Sequence, residues 1–216
     1  MSVISVFGGT GRTGLPFIKQ ALAKGHSVKA LVRTASKMPI NHKNLHLIIG
    51  DALDASKVSQ TITGSNGVVS CLGQDKSSQP DFQTKATRLI VEAMKNHGVK
   101  RLISLTGGGV RDMAHDKPGF MDNLIVFVMK NVAGKGARHA LMDGISHAEV
   151  VANSSLDWTI VRGPMLTEDP AKGTYQVGSV GTVKGIKLTR QDLAAFMLDE
   201  FVNRKYVGQM PFVTNG

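Results

Sequence analysis

Ser2-Val3-Ile4-Ser5-Val6-Phe7-Gly8-Gly9-Thr10-Gly11-Arg12-Thr13-Gly14 opens the chain and decides how the rest is read. The first six residues are apolar and rich in β-branched side chains, the pattern of a parallel strand buried on both faces. Glycine ends the run abruptly, and Leu15, Ile18, Ala21 and Leu22 then recur at helical spacing. In a strand–turn–helix unit, Gly8 allows the tight turn, Gly11 lets a pyrophosphate approach the backbone and Gly14 lets helix pack on strand. The helix start adds N–H groups and a partial positive charge for phosphate oxygens. The spacing is G-x-x-G-x-x-G. Alone, such glycines could simply form a turn before a helix; the flanking strand and helix make them a nucleotide site.

The next strand, Ser27-Val28-Lys29-Ala30-Leu31-Val32-Arg33, carries the second signal. At its end a dinucleotide fold reads the adenosine ribose, with an acid for NAD or an arginine for the 2′-phosphate of NADP. Arg33 stands there, Ser36 and Lys37 follow, and Arg12 lies inside the glycine turn; no Asp or Glu occurs before Asp51. Together these residues favour NADP(H).

Further strands are expected at 45–51, 67–73, 101–106 and 156–162, with helices over 54–63, 82–97 and 137–153 between them. Alternating strands and helices, each strand nearly all apolar, imply right-handed crossovers and an α/β, doubly wound parallel sheet, the Rossmann arrangement. Cys71 falls within the fourth strand, as a small buried hydrophobe rather than a thiolate. Gln74 to Asp81 reads as an active-site loop. Phe120 to Val132 reads as a core helix, a lid over a substrate or a subunit contact; core or lid packing is preferred to membrane attachment, because the run is short and not rich in basic residues. In the tail, Thr189 can cap a helix whose positive end suits Asp192. The 216 residues are read as one domain, with 163–216 contributing a small lobe on the substrate side.

Composition narrows the partners. The formal charge is +10, yet the basic residues are spread along the chain. That is the pattern of a solvated basic surface, whose field suits an anionic small molecule. Aromatics are only 5% and no nucleic-acid motif appears, so nucleic acid is disfavoured. No apolar run approaches the ~18 residues of a membrane span, and the N-terminus does not read as a signal peptide. A single cysteine excludes an internal disulfide and fits a reducing cytoplasm.

In these stretches the chain resembles the atypical short-chain dehydrogenase/reductases, and more narrowly the NAD(P)H-binding proteins akin to flavin reductase/biliverdin reductase B and the NmrA-like proteins. The resemblance is carried by Phe7 to Gly14, Leu31-Val32-Arg33, Gly50-Asp51, Ala93 to Val99, Leu156 to Arg162 and Thr189 to Ala194. It implies an NADP(H) diphosphate over Gly8, Thr10, Gly11, Arg12, Thr13 and Gly14, and a 2′-phosphate near Arg33. It also implies adenine near Asp51 and Ala52, and nicotinamide ribose near Leu72 and Gly73. Pro164 to Leu166, with Met165 between them, would flank the nicotinamide. Gly163 interrupts the family's usual passage from arginine directly to proline.

Ordinary members of that superfamily exchange a proton through a Tyr-x-x-x-Lys pair, lysine keeping the phenol acidic. Here neither Tyr175 nor Tyr206 is followed by lysine four residues on. Counting back from Leu156-Asp157-Trp158, the pair's places fall to Asp143 and His147, and Thr106 takes the place of the substrate-contacting hydroxyl. These three are the candidate catalytic residues. His139, Asp143 and His147 recur every four residues but span about 12 Å, too far for one ion, so no metal site is expected.

A flavin or quinone stabilises added charge itself and can draw its proton from water. The reading is therefore an NADPH-dependent reductase of a planar conjugated acceptor, with Phe120, Phe127, Met129 and Met165 as candidates for an apolar slot. A non-catalytic NADP(H)-binding sensor that regulates a protein partner stays open, as does a homodimer. A nucleic-acid-associated Rossmann protein is a third reading, motivated only by charge.

Overall fold

The computed structural model describes residues 1–74 and 78–216. Six strands come first in the sheet: β1 (Val3–Phe7), β2 (Ser27–Val32), β3 (Leu45–Ile49), β4 (Gly67–Ser70), β5 (Arg101–Gly107) and β6 (Asp157–Gly163). The tail adds β7 (Met165–Thr167), β8 (Gln176–Gly178), β9 (Lys187–Thr189) and β10 (Phe212–Thr214). The main sheet runs β3-β2-β1-β4-β5-β6-β10-β8, parallel throughout except for β8 at one edge. Residues 163–216 therefore supply two strands to the main sheet, while β7 and β9 pair separately.

Helices cover both faces. α1 (Gly14–Ala23) and α6 (Arg190–Asn203) pack together on one; α2 (Ala55–Ile62), α3 (Phe82–Asn96) and α5 (Gly134–Ala152) lie on the other. Successive strand residues feed opposite cores: Ile4 and Val6 belong to the one with Phe17, Ile18 and Met197, while Phe7 belongs to the one with Val58, Ile90 and Met94. That two-sided burial is why the strands read as unbroken apolar runs. Asp54 caps α2 by accepting from the Ser56 and Lys57 amides, and Thr189 caps α6 by accepting from the Asp192 amide, as the sequence predicts for Thr189.

α4 (Phe120–Asn131) corrects an expectation. None of its residues is buried, so it is not a core helix. Among the described residues its main helix contact is with α5, which hides only one stripe of its surface. Cys71 is also displaced from its expected place: β4 ends at Ser70, one residue earlier.

Candidate functional site

In an open α/β sheet, ligands bind beyond the carboxyl ends of the strands where the order reverses. Here that point lies between β1 and β4, and a cleft of about 450 Å³ opens there. Two glycines make it. Gly8 sits at φ 75°, and a Cβ on it would stand 2.8 Å from the Cys71 carbonyl. A Cβ on Gly14 would stand 2.2 Å from the Gly8 oxygen, so only glycine lets α1 start this close to β1. Thr13 does not cap α1 with its side chain, which leaves that helix start suited to phosphate oxygens.

The cleft wall contains Gly8, Thr10, Gly11, Arg12, Thr13, Arg33, Asp51, Ala52, Leu72, Gly73, Thr106 and Pro164, twelve of the positions expected from sequence. Gly14 acts behind the wall, by packing. Met165 does not line the cleft; it is 57% exposed, and Leu166 lines the cleft in its place. Successive strand residues point to opposite faces, so one step along β7 moves the side chain away. Asp51 accepts a hydrogen bond from the Leu53 amide at 2.8 Å, which fixes the turn after β3.

Asp143 and His147 stand behind the cleft rather than in it. The Asp143 carboxylate is 3% exposed and accepts from the Gln83 amide (2.8 Å), the Thr84 amide (2.9 Å), the Thr84 hydroxyl (2.5 Å) and the Gln74 side chain (2.9 Å). It thereby caps the first turn of α3 from α5, where negative charge is favoured. The buried His147 ring lies 3.0 Å from the Thr87 hydroxyl and 3.3 Å from that of Ser104. Burial lowers its pKa to about 4, only partly countered by Asp143, so the ring is neutral at pH 7. The first-turn cap and neutral ring both anchor α5. Of the three candidate catalytic residues, only Thr106 lines the cleft.

The far end of the cleft is apolar: Phe82, Leu105, Val110, Met129, Leu141 and Leu166, with Gln83 beside them. Of the side chains expected to form a slot, Met129 is there, while Phe120 and Phe127 are 80% and 58% exposed on the outside of α4. Cys71 lines the wall, and burial pushes its thiol up to about 12, so it stays protonated at neutral pH. Part of the expected active-site loop, residues 75–77, lies outside the described residues.

Two arginines, Arg190 and Arg162, have roles that the sequence does not assign them, although both lie in stretches that carry the resemblance. Arg190 lines the cleft and donates to the Thr13 hydroxyl at 3.0 Å, 177 residues away in sequence. Its Nε lies 2.8 Å from Glu168, which also lies 3.8 Å from Arg12. Nothing local marks Arg190; only docking α6 on α1 brings it to the glycine loop. Arg162 is fully buried and clamps Asp116 with both terminal nitrogens, at 2.5 and 2.9 Å, while donating to the Val110 carbonyl at 3.0 Å. Burial opposes charge on Asp116, but the bonds from Arg162 and from the Asp112 and Val180 amides hold its carboxyl below the usual range. This pair fixes the loop carrying Val110 at the cleft rim. Among the described residues no cluster of metal-binding side chains occurs, and no helix is long and apolar enough to cross a membrane.

A family described as NAD(P)H-binding matches residues 8–204. An uncharacterized Bacillus subtilis protein, YwnB, is 24% identical over 204 residues, covering 91% of each chain. A Veillonella parvula short-chain dehydrogenase/reductase solved in complex with NADP superposes with a TM-score of 0.80 at 17% identity, over 100% of this chain and 95% of that one. ChuY of Escherichia coli O157:H7, described as an anaerobillin reductase, superposes at 0.78 with 20% identity, over 98% and 96%.

Proposed function

Because the chain belongs to the NAD(P)H-binding family, we propose that it is an NADPH-dependent reductase of a planar, conjugated acceptor such as a flavin or quinone. One observation carries the reading. The cleft joins a cationic glycine-loop end to an apolar slot, and its titratable lining side chains among the described residues are Arg12, Arg33, Asp51, Cys71 and Arg190. None of these is a tyrosine, histidine or lysine, the side chains that most often pass a proton to a carbonyl, and burial makes the Cys71 thiol a weak acid. A simple ketone needs such a donor in the transition state; a ring that spreads the added charge does not.

The residues divide the work accordingly. Gly8 to Gly14 and the start of α1 hold the diphosphate, with Arg12 and Arg190 beside it. Arg33 recognises the 2′-phosphate, and Asp51 and Ala52 border the adenine. Leu72 and Gly73 border the nicotinamide ribose, Pro164 flanks the nicotinamide, and the Thr106 hydroxyl hydrogen-bonds an acceptor oxygen. Bound NADPH supplies a hydride, which the acceptor takes up together with one proton from water. Val110, Met129 and Leu141 hold the acceptor's ring in place, so the protein's contribution is positioning.

That no such donor stands among the described lining residues also suits a second reading, an NADP(H)-binding sensor without turnover. Titration with NADPH and NADH, followed by FMN, menadione and a simple ketone, separates the two. Turnover of the ring acceptors but not the ketone is expected. Tight NADPH binding with no turnover supports the sensor, and comparable binding of NADH and NADPH removes the role of Arg33.

A further inference from the structure

α4 has an apolar surface that its packing does not use. Val126 and Met129 face inward: a side chain on Gly109 would meet Leu141 at 3.1 Å, Met129 at 3.5 Å and Val126 at 3.7 Å. Met129 also lines the cleft. Ile125 and Met121 precede Met129 at intervals of four, so the three sit side by side along one ridge of the helix. Ile125 is 49% exposed and Met121 is 62% exposed. The ridge starts in the acceptor slot and runs outward for about 12 Å, eight residues of helix rise. That is the reach of a medium-length alkyl chain. Water-exposed apolar surface continuous with a ligand slot is a feature that ligands, rather than solvent, stabilise.

We propose that the acceptor is a quinone carrying an alkyl chain, its ring in the slot and its chain along Met129, Ile125 and Met121. This rests on the reductase reading and names its substrate class. A second copy of the protein is the weaker occupant. One face of a helix about 18 Å long falls short of the ~800 Å² per partner that a stable interface buries.

The probes are a benzoquinone with no chain and the same ring with a decyl chain, compared by kcat/KM and, without NADPH, by calorimetric binding. Each methylene fully removed from water is worth about fourfold, so partial burial along the ridge gives the decyl compound at least a tenfold advantage in both measurements. In Met121→Ser/Ile125→Ser that ratio falls toward one. A ratio cancels any general loss of folded protein, and both side chains are already exposed. Equal values for the two probes in the native protein overturn the inference while leaving the reductase reading intact. An unchanged ratio in the double variant overturns it too. If neither quinone is reduced but the decyl compound still binds tenfold better, the reductase reading fails and takes the acceptor assignment with it, leaving the ridge only as an alkyl-binding surface. A dimer by light scattering that becomes monomeric in the double variant assigns the ridge to a second copy and overturns the inference.

Discussion

Replacing Asp143 by alanine separates a structural carboxylate from a catalytic one. The substitution removes the acceptor of two backbone amides, Gln83 and Thr84, and of two side-chain donors, in a position only 3% exposed. Leaving a buried donor unsatisfied costs about 1–3 kcal/mol. The Thr84 hydroxyl can rotate and the Gln74 amide can turn elsewhere, so the two backbone groups dominate. Loss of the favourable charge at the start of α3 adds about 0.3–1 kcal/mol. Together these predict a loss of about 2–7 kcal/mol, a large fraction of the ~5–15 kcal/mol that holds a typical domain together. Asparagine is no remedy: each Asp143 oxygen accepts two donors, so in either orientation its amide nitrogen opposes a backbone N–H. Urea unfolding of the native protein, Asp143→Ala and Asp143→Asn gives the loss directly, with an unchanged slope if the denatured state is the same. A loss below about 1 kcal/mol, accompanied by abolished turnover in a folded protein, would refute the reasoning and return Asp143 to the chemistry.

Three further outcomes are expected. Arg33→Ala should weaken NADPH about 30-fold, the worth of one charge-assisted hydrogen bond near 2 kcal/mol, and leave NADH nearly unchanged in fluorescence titration. Glu168→Gln should tighten NADPH about two- to fivefold, because it frees Arg12 and Arg190 from a carboxylate worth only ~0.2–1 kcal/mol at an exposed site, whereas Arg190→Ala should weaken it; titration at two salt concentrations checks both. The His147 pKa is lowered to about 4, so the unfolded chain binds an extra proton between pH 6.5 and pH 4. This group's contribution is complete above pH 6.5 and falls by about 3 kcal/mol as pH drops to 4; urea unfolding across that range in the native protein and in His147→Gln isolates it.

How much was legible without coordinates can be followed residue by residue. The glycine loop, Arg33 and the Gly50-Asp51 turn are local: each is one strand end with a short connection, and backbone sterics or a single charge dictate the residue type. Strand–helix alternation with two-sided apolar strands then leaves a doubly wound sheet as the way to bury both faces. Cleft residues contributed by distant segments left no such trace. Arg190 reaches Thr13 only because α6 docks on α1, and Leu166 rather than Met165 faces the cleft because of where β7 begins its alternation. Asp143 and His147 share a helix face at the places of the superfamily's catalytic pair, but a helical repeat says which residues point together, not what they point at. The packing of α5 against α3 and β5 turned that face inward, toward Thr84, Thr87 and Ser104. The apolar run at 120–132 has the composition of a core helix, and only its position beside α5 left most of it in water. Sequence thus determined the loop chemistry and the layered architecture, which arise from neighbours in the chain. Tertiary structure decided which side chains meet in the cleft, because those contacts depend on how separately folded helices settle against one sheet.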